Sequence, residues 1–518
     1  MRFVFNYEVP IMNFLKKCFN RTVVMLIAIV LEVLFIIRLF KWFGKNAAWI
    51  DGVLRVLSVL IVLGINKNST HLSFDMMWIL LIIVSPIFGT AMYLLLGANL
   101  FTSKTFYNIL ITTMDSAKYY KQDEEVLKEA ENQAGNFKGQ LEYLSKGAHF
   151  PVYRNREFDY WGTGDAGYPT LLEEMRKAEK FIFLEYFIIE EGKMWDGMLE
   201  ILEEKAAQGL DIRVLYDDLG SFFTLPLKYA DELEKKGVKC MAFNRINPRL
   251  NIIINHRDHR KLMVIDGKVA FSGGVNLADE YINAKTKFGH WKDNIIRIKG
   301  EAVWSYTVLF LTHWNALRKT DENFNVFKVP YEGSEEFDGY IAPYGETPIG
   351  EERTAQNVYL NILNQAKDYV YIFTPYLIID TEFISALVLT AKRGVDVRLM
   401  TPGIPDKKIV FSITQSFYKT LINGGVKIFE YSPGFVHSKV FVSDDRICTV
   451  GTVNLDYRSL YLHFENGIYV FDSKKVLDVK QDFLDAFEVS HQVTPEEAKR
   501  GLIMEFLLSV LRLFAPLM

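Results

Sequence analysis

At 518 residues the chain is longer than one ordinary domain, and 50% of its residues are hydrophobic. Its net charge of −4 provides no basic excess to neutralise a polynucleotide backbone, which disfavours a nuclease. The cysteines Cys18, Cys240 and Cys448 are widely spaced, so neither a disulfide framework nor a zinc-binding spacing is indicated. We therefore expect no metal, no cofactor and no nucleic-acid partner, and the sequence indicates no oligomeric state.

Apolar segments dominate residues 1–100 and predict an N-terminal transmembrane helical region with two or three segments. The segments cover about 23–40, 49–65 and 76–96. The third is long enough for a hydrocarbon core of about 30 Å. Asp51 and Arg55 shorten the second, which is short for a span and is alternatively interfacial or re-entrant. The number of spans and the orientation of the N-terminus therefore stay open.

Two similar halves follow this region, each with the same order of predicted elements. A polar connector is expected over 101–149, a first lobe over 150–323, a linker rich in Gly, Pro and Glu over 324–353, and a second lobe over 354–493. In each half an apolar strand and a helix precede a Gly-x-Asp-x-Arg strand, a second helix and a Gly-Val-Lys strand. This order predicts an α/β fold of two similar lobes packed together, with the active site between them.

Each half contains the pattern His-x-Lys-x4-Asp, followed by an asparagine 17 residues after its histidine. The two sets are His259, Lys261, Asp266 and Asn276, and His437, Lys439, Asp444 and Asn454. Because the chain has only 9 histidines, two chance matches at identical spacing are disfavoured. We interpret both sets as a candidate catalytic site.

Strand parity divides each motif into two parts. The histidine and the lysine are two residues apart, so their side chains share one face of a strand. The aspartate is an odd number of residues from the histidine and lies at a predicted hairpin turn. Asp266 and Asp444 therefore belong to the candidate motif but are interpreted as supporting the hairpin.

These residue types suit cleavage of a phosphodiester bond without a metal. Two lysines offset the charge of the phosphodiester, and the asparagines add neutral donors. One neutral histidine can attack phosphorus, and the other, when protonated, can give a proton to the leaving alkoxide. Such histidines need carboxylates on their other ring nitrogen, and the candidates are Asp293 and Glu465.

The motifs resemble those of the phospholipase D superfamily, whose two-lobed members contain HxKxxxxD twice, and most resemble bacterial cardiolipin synthases. The resemblance covers about 150–493 and is carried by 255–267, 271–276, 436–439 and 450–459. It implies that a phosphatidyl group passes from one phosphatidylglycerol to another and that glycerol is released. His259 would be the nucleophile and His437 the acid. The resemblance also implies anionic lipid partners and a multi-pass protein of the bacterial cytoplasmic membrane, with the lobes on the cytoplasmic side.

Other interpretations use the same residues or the same segments. A phospholipase D-type hydrolase or another phosphatidyltransferase would need no change in the motifs. An inactive membrane scaffold is disfavoured because both motifs are complete. The C-terminal segment 494–518 has the periodicity of an amphipathic helix, which either lies on the membrane or packs on the core of the lobes.

Overall fold

The structure is a computed structural model that describes residues 34, 38, 48–68, 72–94, 104–245, 256–350 and 352–513. It divides into one unit of residues 1–102 and 245–254 and a second unit of residues 103–244 and 255–518. Nearly all of the apolar segment 23–40 lies outside the described residues. The catalytic motifs belong to the second unit.

The helices and strands of the described residues are numbered in chain order. The helices are α1 (Ala48–Asn68), α2 (Leu72–Val84), α3 (Pro86–Met92), α4 (Lys104–Ser116), α5 (Glu124–Ala134), α6 (Lys138–Glu142), α7 (Gly164–Arg176), α8 (Lys193–Ala207), α9 (Tyr229–Lys235), α10 (Val303–Arg318), α11 (Thr354–Gln365), α12 (Thr381–Lys392), α13 (Lys408–Asn423), α14 (Tyr457–Tyr461), α15 (Val476–Glu488) and α16 (Leu502–Leu513). The strands are β1 (Tyr153–Arg154), β2 (Glu157–Trp161), β3 (Phe181–Tyr186), β4 (Asp211–Asp217), β5 (Lys239–Phe243), β6 (Arg257–Asp258), β7 (Lys261–Ile265), β8 (Val269–Gly273), β9 (His290–Lys292), β10 (Ile295–Lys299), β11 (Tyr340–Glu346), β12 (Tyr369–Phe373), β13 (Leu377–Ile378), β14 (Asp396–Pro402), β15 (Lys427–Tyr431), β16 (Gly434–Val436), β17 (Val440–Ser443), β18 (Ile447–Gly451), β19 (Leu455–Asp456), β20 (His463–Phe471) and β21 (His491–Gln492).

The first unit contains α1, α2 and α3. The predicted apolar run 76–96 is divided at Ser85, where α2 has ended and α3 begins with Pro86 at its first position. Proline suits the first position of a helix because a backbone N–H there has no acceptor within the helix, so its absence costs nothing. Among the described residues, no helix combines the length and the apolar character that crossing a membrane requires.

The second unit is built on two sheets with the same strand arrangement. The first sheet has the order β2-β10-β8-β7-β3-β4-β5, and the second contains the run β11-β20-β18-β17-β12-β14-β15. In both, three parallel strands continue into an antiparallel hairpin that follows the motif histidine. The predicted α/β fold of two similar lobes is confirmed.

The repeated Gly-x-Asp-x-Arg and Gly-Val-Lys sequences form a repeated ion group. In each lobe the aspartate accepts hydrogen bonds from the arginine two residues later and from the lysine of the next parallel strand. The groups are Asp211, Arg213 and Lys239 in the first lobe and Asp396, Arg398 and Lys427 in the second. The sequence repeat therefore preserves the charge pairing between neighbouring strands.

Two predicted connections belong instead to the core of the second lobe. The predicted linker 324–353 contains β11, which pairs with β20 over seven residues. Pro343 lies in this strand, and the apolar residues around it are buried. The predicted connector 101–149 contains α5 and α6, whose Leu127 and Leu141 join the buried cluster of the second lobe. Their polar composition reflects only the exposed faces of these helices.

Asp266 and Asp444 lie at equivalent hairpin turns, where both adopt positive φ angles. Asp266 accepts hydrogen bonds from the backbone N–H groups of residues 179, 180 and 181, each at 2.8 Å. Asp444 accepts three equivalent bonds from residues 367, 368 and 369 at 2.8–3.0 Å. Each carboxylate thus fixes the start of the central strand, β3 or β12, against the hairpin.

We expect Asp266→Ala to lower the free energy of unfolding by about 2–4 kcal/mol, because three backbone N–H groups lose a buried carboxylate acceptor. Asp444→Ala should cost less, because its carboxylate is more exposed. Chemical denaturation measures both changes, and activity is measured per folded molecule. A variant with wild-type stability but without activity would show that the aspartate takes part in the reaction instead.

Candidate active site

Short parallel strand pairs join the two lobes beside each motif histidine. β6 pairs with the start of β20, and β16 pairs with β9. The backbone N–H of His259 donates to the Phe464 carbonyl at 2.8 Å, and that of His437 donates to the Lys292 carbonyl at 2.8 Å. Each histidine is therefore held in register by a strand of the opposite lobe.

The carboxylates that orient the histidines come from the opposite lobes. His259 Nδ1 lies 2.8 Å from Glu465 Oε2, and His437 Nδ1 lies 2.6 Å from Asp293 Oδ2. All four side chains are buried. The structure thus brings together both predicted carboxylates with both histidines, and it pairs them across the lobes.

The two lysines lie directly behind the histidines. Lys261 Nζ donates to the carbonyl oxygen of His259 at 2.7 Å, and Lys439 Nζ donates to that of His437. Burial lowers the pKa of Lys261 to about 7 and that of Lys439 to about 8, against the opposing charges of Glu465 and Asp293. The lysine charges are therefore close to both histidines and are easily lost.

The two asparagines differ in their hydrogen bonds. Asn276 accepts from the Ile188 N–H at 3.1 Å and donates to the Tyr281 hydroxyl at 2.8 Å. Asn454 donates to Asp456 at 2.9 Å, and its Oδ1 has no hydrogen-bond partner among the described residues. The second lobe thus offers an unused polar atom where the first does not.

A cavity of about 1040 Å³ opens beside the histidines. His259, His437, Asn276 and Asn454 line it, whereas Asp266 and Asp444 lie away from it at their hairpin turns. Much of its remaining wall is apolar, formed by Phe187, Ile188, Phe288, Trp291, Ile378, Ile409, Val410 and Phe435. A large apolar cavity with a few convergent polar groups is typical of a ligand-binding site.

The surroundings lower the pKa values of both imidazoles. Burial and the Lys261 charge lower the pKa of His259 well below its usual range. Burial and the Lys439 charge lower the pKa of His437 to about 4, and Asp293 opposes this shift. Burial also raises the pKa of Glu465 well above its usual range. Asp293 therefore favours a proton on His437, whereas burial and nearby cations favour the neutral form of His259.

His463 is a residue of the site that the sequence does not reveal. It lines the cavity, and its ring centroid lies 5.6 Å from that of His259. Nitrogen and oxygen atoms of His259, His463 and Glu465 lie within 4.8 Å of one another, so these groups could hold a metal ion. Sequence spacing does not reveal this group, because its members come from two lobes.

A second group of this kind, Glu185, Asp258 and His313, lies deeper in the unit. His313 Nδ1 lies 2.7 Å from Glu185 Oε1 and 3.6 Å from Asp258 Oδ2. The guanidinium of Arg260 lies 3.7 Å from Glu185. A cationic side chain therefore already neutralises this group, which behaves as a buried ion network.

The chain is similar to known proteins over the region that contains both motifs. A family model described as "Cardiolipin synthase, PLD-like domain" matches residues 171–314 and 359–487. An uncharacterised protein of Streptococcus mutans is 42% identical over 443 residues, covering 85% of this chain and 96% of the relative. A cardiolipin synthase of Halalkalibacterium halodurans is 31% identical and covers 96% of this chain and 100% of the relative.

Another relative, a cardiolipin synthase of Clostridium perfringens, is 32% identical and covers 85% of this chain and 93% of its own length. A crystal structure of phosphatidylserine synthase from Haemophilus influenzae has a TM-score of 0.54 at 16% identity. The match covers 73% of this chain and 97% of that one. This structural likeness supports the fold.

Proposed function

The chain belongs to the cardiolipin synthase family of phospholipase D-like proteins, and we propose that it transfers a phosphatidyl group from one phosphatidylglycerol to another. The products are cardiolipin and glycerol. The observation that carries this proposal is that two motif histidines, each paired with a carboxylate of the opposite lobe, line one largely apolar cavity. The apolar wall suits the glycerol backbone and upper acyl chains of a lipid.

The first step forms a phosphatidyl-histidine. His259 attacks phosphorus, the bond from phosphorus to the leaving glycerol oxygen breaks, and His437 gives that oxygen a proton. The Asp293 carboxylate supports this assignment, since it favours a proton on His437. The negative charge of the entering phosphodiester raises the pKa of His437 further. Glu465 stabilises the positive charge that develops on the His259 ring.

The second step reverses these roles. A hydroxyl of the second phosphatidylglycerol attacks phosphorus and gives its proton to His437, and the bond between phosphorus and His259 breaks. Lys261 and Lys439 offset negative charge on the transferring group in both steps. Water as the acceptor would give phosphatidic acid, which is the product of the alternative hydrolase.

We expect His259→Ala and His437→Ala each to reduce cardiolipin formation by at least about 10³-fold, because each removes a group that forms or breaks bonds. The full chain is incubated with phosphatidylglycerol in mixed micelles, and lipids and released glycerol are quantified. His491→Ala, which changes an exposed histidine, is the matched control. Phosphatidic acid without cardiolipin from the wild-type protein would favour the hydrolase, and substantial activity in either alanine variant would rule out this mechanism.

The lowered pKa values of the two lysines predict that activity falls at alkaline pH. A lowered pKa means that the charged form disappears at a lower pH, so Lys261 and Lys439 lose their charges near pH 7 and 8. Because kcat/KM reports the free enzyme, it should fall as pH rises from 7 to 9. Lys261→Arg should move this fall to higher pH, since a guanidinium stays charged. A profile that rises to pH 9, or one that the variant leaves unmoved, would contradict the lysine role.

The proposal also includes attachment to the bacterial cell membrane, with the lobes on the cytoplasmic side. Support comes from the apolar segments of residues 1–100 and from α16. The number of spans in residues 1–100 and the membrane contact of α16 stay predictions. α16 packs on α13 through buried Leu508 and through Arg512, which bonds Ser416. Its remaining apolar face is exposed, with Leu502 at 86% and Phe506 at 69%. An exposed apolar helix face of this kind suits the interface of a lipid bilayer.

We expect a fluorophore at position 506 to enter lipid. Phe506→Cys, in a chain carrying Cys18→Ser, is labelled with an environment-sensitive dye and mixed with phosphatidylglycerol vesicles. Its emission should shift to the blue and be quenched by lipids brominated on their acyl chains, because α16 lies in the interface. Leu389→Cys, an exposed leucine of α12, is the matched control. Equal quenching at both positions, or none at 506, would exclude membrane contact by α16.

A further inference from the structure

A third histidine lies beside the histidine pair without a role in the proposed transfer. His463 is buried, and among the described residues neither of its ring nitrogens has a hydrogen-bond partner. Leaving both polar atoms of a buried side chain unpaired costs free energy. The side chain therefore suits a ligand that binds to an imidazole nitrogen.

Its closest polar neighbours are themselves metal-ligand types. His463 Nδ1 lies 3.8 Å from Glu465 Oε1, and His259 Nδ1 lies 2.9 Å from the same oxygen. Ligand atoms of the three residues lie within 4.8 Å of one another. A tetrahedral ion with bonds of about 2.0–2.2 Å needs only small side-chain movements to reach all three.

The ligand set indicates the class of ion. Two imidazole nitrogens and one carboxylate oxygen suit borderline first-row divalent cations, whereas Mg²⁺ and Ca²⁺ prefer oxygen ligands. The adjacent cavity leaves room for a fourth, exchangeable ligand.

We propose that His259, His463 and Glu465 form an inhibitory binding site for a borderline divalent cation such as Zn²⁺ or Co²⁺. The inhibition rests on the proposed function, because the ion occupies the proposed nucleophile. The binding of the ion does not depend on that function. The bound ion replaces the proton between His259 and Glu465. It withdraws electron density from the His259 ring, so this histidine becomes a poorer nucleophile.

Neighbouring charges limit the affinity of this site. Lys261 donates to the backbone carbonyl of His259, and Arg458 lines the same cavity as His463. These positive charges also repel a dication. The site therefore suits reversible inhibition by a free transition-metal ion rather than permanent occupancy by a resident cofactor.

Binding is tested first on the full chain in detergent without substrate. Co²⁺ should bind one equivalent and give the visible d–d absorption of a site with nitrogen ligands, and Zn²⁺ should displace it. His463→Phe keeps a ring but removes both nitrogens, and His463→Asn serves if the first variant does not fold. Both should lose the absorption. His491→Asn, which removes an exposed histidine paired with Glu497, should retain it.

Inhibition is tested next in the cardiolipin assay. EDTA should not lower wild-type activity, and Zn²⁺ should inhibit, whereas equal concentrations of Mg²⁺ and Ca²⁺ control for binding to lipid phosphates. The activity of His463→Phe in EDTA serves as its own reference, and relative to it the variant should need at least about tenfold more Zn²⁺ for half inhibition, because a ligand is lost.

The outcomes separate this site from the proposed function. A wild-type protein that binds Co²⁺ through His463 but makes no cardiolipin would support the site and contradict the function. No Co²⁺ absorption, or equal Zn²⁺ sensitivity in wild type and His463→Phe, would overturn the site. Loss of wild-type activity in EDTA would make the ion essential and overturn its inhibitory role.

Discussion

The reciprocal contact between the lobes is the constraint on which the site depends. β6 pairs with β20 just before His259, and β16 pairs with β9 just before His437. Because β20 contains Glu465 and Asp293 directly follows β9, each pairing also brings a carboxylate to the histidine of the other lobe. Neither motif histidine finds its orienting carboxylate in its own lobe, so separation of the lobes removes both orienting contacts at once.

This arrangement keeps several buried charges next to one another. Lys261, Lys439, Asp293 and Glu465 are all buried, which would be costly for isolated ions. Lysine and carboxylate charges partly offset one another, yet the pKa of both lysines is still lowered. A bound phosphodiester adds the negative charge that holds both lysines protonated. A bound substrate therefore favours the charged form of the lysines, and the charged lysines favour substrate binding. This coupling explains why the polar groups can remain preorganised beside an apolar cavity.

The sequence predicts the elements and the chemical groups better than their pairing. The repeated order of strands, both motifs and both carboxylates could be found because they depend on local spacing. Parity places His259 and Lys261 on one face, but it does not say which lobe supplies the carboxylate. The Gly, Pro and Glu residues around β11 predict a linker, although pairing with β20 buries this strand. The sequence does not reveal His463 as a site residue, because its relation to His259 exists only across the lobes.

The exchange of carboxylates between the lobes also gives the two motif histidines different surroundings. His437 faces Asp293 alone, and that carboxylate favours a proton on the ring. His259 shares Glu465 with His463, whose nitrogens are unpaired within the described part of the chain. Any cation that enters between these groups competes with the proton on His259, whereas no such group of potential metal ligands among the residues that the structure describes includes His437. The asymmetry that suits His259 for attack on phosphorus therefore also exposes this histidine, rather than His437, to capture by a metal ion.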